Sequence, residues 1–111
     1  MFDLTEDTVN LLKVLSDPTR LNIIELLSKC THTSAQIQNK LDRTQSTISQ
    51  QLKTLIEANL VDYEKDGNNK LYFLKYNEIL DILANLRLFI IEQKKKSIEE
   101  LRELDRYDTL F

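Results

Sequence analysis

Between Arg43 and Leu55 the chain reads RTQSTISQQLKTL, a stretch crowded with glutamines and hydroxyls that carries only Arg43 and Lys53 as charges. On a helix, Gln45, Ser46, Ser49, Gln50 and Lys53 share one face, with Thr47 beside them near the amino end. Ile48, Leu52, Leu55 and Ile56 fall on another face and must look into a core. Glutamine can pair bidentately with an adenine edge, and hydroxyls can meet base edges or phosphates. A helix amino terminus itself attracts phosphate. A helix of this composition is equally at home as a solvated surface, so the surrounding elements must decide between the two.

Those elements are legible from their caps and periods. The chain has one glycine, Gly67, and one proline, Pro18, so breakers are few and most of it should be helical. Asp3 and Glu6 have the spacing of a capping box, and Leu4, Thr8, Leu11 and Leu15 then recur at helical intervals as far as Ser16. Asp17 followed by Pro18 starts a second helix, expected to run to about Lys29. Its apolar set is Leu21, Ile23, Ile24, Leu26 and Leu27. Ser34 can cap a third helix carrying Ile37 and Leu41. Thr44 can cap a fourth, and only Asp42 to Thr44 separates the two.

After Asn59 the period changes from helical to alternating. Val61, Tyr63 and Lys65 alternate with Asp62 and Glu64, Leu71 to Leu74 form a second strand, and Asp66-Gly67-Asn68-Asn69 supplies the turn. From Asn77 to about Leu104 there is no breaker. An apolar stripe of Ile79, Ile82, Leu83, Leu86, Phe89 and Ile90 continues more thinly through Ile98, Leu101 and Leu104, so a packing partner is expected.

The expected fold is therefore mainly α with a β-hairpin wing. Four helices, two strands and a fifth helix follow in order, a winged helix-turn-helix over residues 1–111 as one domain, closed by a long helix over about 77–104. In that architecture the fourth helix, residues 44–59, lies in the DNA major groove and the 61–74 hairpin touches the flanking backbone.

Composition bounds this reading from several sides. The net charge is -3, which argues mildly against a nucleic-acid partner, because binding is driven largely by Lys and Arg neutralising phosphate. Distribution matters more. From Gln36 to Ile56 the cations Lys40, Arg43 and Lys53 face only Asp42, whereas Glu99, Glu100, Glu103, Asp105 and Asp108 gather toward the end. The apolar run 88–91 is far too short to span a membrane, and residues 1–15 lack a signal pattern, so a cytoplasmic protein without a membrane partner is expected. One cysteine, Cys30, excludes an intrachain disulfide. With one histidine and no convergent carboxylates, an enzyme has nothing to work with.

Residues 9 to 92 resemble the ArsR/SmtB family of transcriptional repressors. LKVLSDPTRLNIIELL at 12–27 contains the family's D-P-x-R-L core. TQSTISQQLKTLIEANLV at 44–61 resembles its S-x-x-x-S-x-H-L-x-x-L-x-x-x-G-L-V pattern, with Gln51 in place of the histidine and Asn59 in place of the glycine. The hairpin with Gly67 and Leu71-Tyr72-Phe73-Leu74 resembles the family's wing, although Glu64 and Asn68 stand where basic residues are common.

The resemblance implies a homodimer joined through its first and last helices, with Leu4, Leu11, Leu12, Ile82, Leu83, Leu86, Phe89 and Ile90 at the interface. It implies a repressor of transcription that presents two reading helices to a pseudo-palindromic operator in double-stranded DNA. The expected DNA contacts are Arg43, Thr44, Gln45, Ser46, Thr47, Ser49, Gln50 and Lys53, joined by Lys65, Asn68, Asn69 and Lys70 of the wing. A winged-helix module that binds protein rather than specific DNA is the alternative that the acidic balance would suit.

The family's metal sites do not carry over. Its cysteine-bearing motif aligns with THTSAQI at 31–37, placing Thr33 and Ala35 at the cysteine positions, and the last helix has no histidine around Glu78 and Glu92. Neither a cofactor nor an obligatory metal is therefore expected. Cys30 and His32 supply at most two ligands per chain and are the weak candidates for an improvised site, where zinc usually takes three or four protein groups. Their plainer reading is a small buried cysteine and a surface histidine. Lys94-Lys95-Lys96 reads as a solvated helix face, with a phosphate clamp or a salt-bridge partner for the acids at 99, 100 and 103 as its functional readings.

Overall fold

The computed structural model describes residues 3–109. The element order is α1 (Thr5–Leu15), α2 (Pro18–Leu27), α3 (Ser34–Leu41), α4 (Gln45–Glu57), β1 (Val61–Asp66), β2 (Asn69–Leu74) and α5 (Glu78–Thr109). The chain divides at Asn77–Glu78 into two compact units, a winged domain and α5.

Caps set the helix boundaries, and two of them differ from expectation. At α1 the Asp3–Glu6 capping box gives way to a single bond, in which Asp3 Oδ1 accepts from the Thr5 backbone N–H at 2.9 Å. That bond holds the Asp3 carboxyl below its ordinary pKa. At α3 the cap is Thr33 rather than Ser34. Thr33 and Gln36 form a reciprocal box, with Thr33 N–H donating to Gln36 Oε1 and Gln36 N–H to Thr33 Oγ1. Gln36 is the glutamine three residues after the cap that a box requires. Asp17 caps α2 as expected, accepting from the backbone N–H groups of Thr19 and Arg20, with Pro18 preset in the first turn. That helix stops at Leu27, short of Lys29.

Two residues in the left-handed region close α3 and α4. Asp42 has φ 52° and Asn59 has φ 64°. At the end of α4 the Asn59 N–H donates to Ile56 O and the Leu60 N–H to Leu55 O, the paired pattern that ends a helix on such a residue. Asn59 stands where the family uses glycine because this backbone favours glycine first and asparagine next. Asn59 Oδ1 also accepts from Lys75 Nζ.

The core of the winged domain is a stack of branched aliphatic side chains. Ile23 and Ile24 of α2, Ile37 of α3, and Ile48 and Leu55 of α4 are fully buried, with Leu27, Leu52, Leu60 and Val61 close to it. The hairpin pairs antiparallel from Val61↔Leu74 to Asp66↔Asn69. Its turn is tighter than expected, with only Gly67 and Asn68 unpaired and φ +63° at Gly67, a two-residue loop with glycine first. An isolated bridge, His32↔Tyr72, adds a third strand-like contact. Through it His32 N–H donates to Tyr72 O at 3.2 Å and Tyr72 N–H to His32 O at 2.8 Å. The wing is thereby tied to the segment before α3.

The second unit, α5, spans 32 residues, about 48 Å at the usual rise. It begins one residue later and ends five residues later than the expected 77–104. Along it Ile82, Leu86, Phe89 and Ile90 are 45–61% exposed, and Leu88 and Ile91 are exposed as well.

Candidate nucleic-acid interface

The turn at 42–44 sets α4 against α3 and leaves its amino end open. Thr44 Oγ1 accepts from the Thr47 N–H at 3.2 Å and donates to Thr47 Oγ1 at 3.0 Å. The Thr44 hydroxyl is thus spent on the cap, while Thr47 keeps its own proton to donate. Thr47 is half-buried.

Beyond the cap, the expected division of α4 into two faces is present. Ile48, Leu52 and Leu55 are at most 2% exposed, and Ile56 is half-buried. Gln45, Ser46, Ser49, Gln50 and Lys53 are exposed, and among the described residues none of their side chains has a hydrogen-bond partner. Free amide and hydroxyl groups, held at fixed spacing by a buried opposite face, can meet an external hydrogen-bonding surface without first breaking internal bonds. Arg43 is exposed just ahead of the helix.

The register of the wing sorts its charges, a feature that alternation within one strand does not disclose. Residues directly opposite in an antiparallel pair share a face. Lys65↔Lys70 and Tyr63↔Tyr72 therefore lie on one face, and Asp62, Glu64 and Asp66 on the other. The acid at Glu64 does not cancel the lysines, because it points the opposite way. On the basic face Lys70 Nζ lies 4.5 Å from the centre of the Tyr63 ring, a cation–π contact. The Tyr63 and Tyr72 rings stand 5.7 Å apart, tilted by 54°. This face and α4 line a common open groove of about 420 Å³ that includes Ser49, Lys53, Tyr63, Lys70 and Tyr72. The structure thus brings Lys53 of the helix and Lys70 of the wing to one groove. Lys65, Asn68 and Asn69 are exposed nearer the hairpin tip.

Cys30 and His32 exchange the places expected of them. Cys30 is exposed and His32 is 2% exposed, because the bridge to Tyr72 draws the histidine inward. Both ring nitrogens are occupied. Nδ1 lies 2.8 Å from the Cys30 carbonyl, which can only accept, so the ring proton sits on Nδ1. Nε2 then accepts from Lys40 Nζ at 2.9 Å. A histidine bonded at both nitrogens has no lone pair free for a metal. Among the described residues no three of His, Cys, Asp and Glu are grouped to hold an ion. None of the described helices is long and apolar enough to cross a membrane.

Sequence reasoning gave no role to Arg20 beyond its place in D-P-x-R-L. The structure shows it, on α2, joined to two other elements. Nε donates to Val14 O at 2.6 Å and Nη2 to Lys13 O at 3.2 Å, both on α1, while Nη1 donates to Gln51 Oε1 on α4 at 2.6 Å. The substitution of Gln51 for the family's histidine was visible in the sequence. Its partner 31 positions away was not.

Four helices, a hairpin pinned beside α4 and a free polar face on the second helix of the helix-turn-helix define a winged helix-turn-helix, the architecture of DNA-binding transcription regulators. Residues 17–63 match the model of the bacterial regulatory protein, arsR family. The arsenical resistance operon repressor of Staphylococcus aureus is 36% identical over 78 residues, covering 70% of this chain and 75% of that protein. Its namesake from Staphylococcus xylosus is 39% identical, covering 66% and 76%. Among solved structures, Rv0081 of Mycobacterium tuberculosis superposes with a TM-score of 0.78 at 25% identity, over 88% of this chain and 99% of that one. The chain belongs to the ArsR family of DNA-binding winged helix-turn-helix regulators, a family of regulators rather than enzymes.

Proposed function

We propose that the protein is a dimeric, sequence-specific repressor that binds a pseudo-palindromic operator, reading bases with α4 and holding the flanking backbone with the wing. The observation that carries this reading is the exposed face of Gln45, Ser46, Ser49 and Gln50, whose side chains lack partners among the described residues while the opposite face is buried. Gln50 and Gln45 are the base readers, and Ser46, Thr47 and Ser49 serve base edges or phosphates. Arg43, Lys53, Lys65 and Lys70 supply the charge, with Asn68 and Asn69 at the wing tip and the Thr44 backbone at the helix start.

A second copy of the chain follows from the apolar faces. Leu4 and Leu12 of the first unit are 58–60% exposed, and Leu11 is half-buried beside them. Ile82, Leu86, Phe89 and Ile90 of α5 are exposed, and each of these faces serves a dimer interface. Leu83 of the same stripe belongs to the proposed interface. Two copies double the cationic contacts of a weakly basic half, and two reading helices meet half-sites about one turn, roughly 10 base pairs, apart. The names of the relatives, arsenical resistance operon repressor and biofilm growth-associated repressor, support repression as the output. The arsenic in the first name is not carried over, because soft metals and metalloids favour thiolates and this chain holds one cysteine.

Binding to the DNA upstream of its own gene, titrated across salt with stoichiometry measured in parallel, tests the reading. Two chains per duplex, and an affinity for that DNA above scrambled DNA that falls steeply with salt, are expected. Equal affinity for both duplexes would overturn it.

A further inference from the structure

The hydrogen bonds of Arg20 point to a role outside the reading surface itself. The guanidinium is planar and rigid. Two of its donors are spent on the carbonyls of Val14 and Lys13 in the last turn of α1, and the Asp17 carboxylate lies 3.9 Å from Nη1. With two anchors on α1, the direction of the third arm is fixed. That arm meets Gln51 Oε1 at 2.6 Å. Gln51 is half-buried and lies between Gln50 of the exposed face and Leu52 of the core.

Apolar packing through Ile48, Leu52 and Leu55 sets how deep α4 sits, but it is non-directional. A hydrogen bond to a fixed planar donor is directional, and it resists rotation about the helix axis. A rotation of about 20° would move a side chain roughly 5–6 Å from the axis by about 2 Å, well outside the ~0.5 Å within which a binding constellation must be held.

We infer that Gln51, gripped by Arg20, is a positioning residue that fixes the rotation of α4 and so the register of its reading face, without itself touching DNA. This rests on the proposal that α4 reads bases. It gives Gln51, which departs from the family pattern, a definite task, and it makes the end of α1 the reference against which the reading helix is set.

The test uses the full-length protein and three variants, with affinities for upstream and scrambled duplexes at a temperature where circular dichroism shows each variant folded. Gln51→Leu keeps the bulk, removes the acceptor and leaves Arg20 its partners on α1 and Asp17. Its affinity for the upstream duplex is expected to fall about tenfold or more, the scale of one lost base contact. Its affinity for scrambled DNA should change less than about twofold, because the phosphate contacts remain. Gln51→Glu offers a carboxylate oxygen to the same Nη1 and should keep the wild-type ratio of upstream to scrambled affinity, even if its added charge lowers both. A merely structural bond would lower the melting temperature and both affinities together, leaving the ratio unchanged. An unchanged ratio in Gln51→Leu overturns the proposal, as does a ratio lost equally in Gln51→Glu. If leucine prevents folding, Gln51→Ala gives the same two readouts. A wild-type protein with no preference for the upstream duplex would overturn base reading by α4 itself, and this proposal with it.

Discussion

Helices α4 and α5 are both amphipathic, and they differ in which face is left exposed. In α4 the apolar face is closed, with Ile48 and Leu55 at 0% exposure, and the exposed surface is a polar one without partners among the described residues. In α5 the unusual surface is apolar, with Phe89 61% exposed and Leu86 and Ile82 at 50%. A free hydrogen-bonding face is satisfied by a hydrogen-bonding partner and a free apolar face by an apolar one. Under the proposed function the two helices serve two partners, DNA for α4 and a second copy of the chain for α5.

The sharpest way to break this division is to charge the apolar face. Leu86→Lys with Phe89→Lys should yield monomers in sedimentation and cost operator affinity about 100-fold or more, because linked half-site binding commonly adds 10²–10⁴. Unchanged dimerisation would remove α5 from the interface. Next in size is Ile48→Ala, which opens a cavity behind the reading face and should cost about 2–5 kcal/mol in chemical denaturation. A loss under ~1 kcal/mol would show that the backing of α4 is looser than its burial implies.

Smaller effects separate the reading groups from the charged ones. Gln50→Ala should cost about 1–3 kcal/mol at one base pair, whereas Lys53→Ala should weaken all sequences alike and reduce the salt slope by ~1. Equal losses for both variants on every duplex would mean that the reading face is misassigned. Smallest is the contrast within the wing. Lys70→Ala should also lower the salt slope by ~1. Glu64→Gln should change DNA affinity much less, because Glu64 lies on the opposite face of the hairpin. A larger gain from Glu64→Gln than loss from Lys70→Ala would reverse the assignment of wing faces.

Helix periods and local caps carried most of the fold into view. Asp17-Pro18, Thr44, the buried set 48, 52 and 55, and the single glycine of the hairpin act within a few residues of themselves, so they can be read along the chain. What escaped was set by contacts between distant segments. His32 is buried because its backbone pairs with Tyr72, 40 positions on, so it cannot be recognised as an interior residue from its neighbours Thr31 and Thr33. The charge sorting of the wing needed the register of β1 against β2, since Glu64 looks like a defect until Lys65 and Lys70 are known to share the other face. Arg20 was conspicuous in its motif, but the use of its third arm depended on where Gln51 lies in space. Thr33 displaced Ser34 as a cap because the glutamine that completes the box lies three residues after Thr33.

Selection of binding sites from a randomised duplex pool, run with the wild-type protein and with Gln50→Ala, tests the central claim most directly. The account predicts two inverted half-sites about one helical turn apart, with one position in each half-site relaxed by Gln50→Ala and the rest of the site retained. A pool without any enriched motif, or a motif untouched by Gln50→Ala, would contradict the claim that the free polar face of α4 reads DNA.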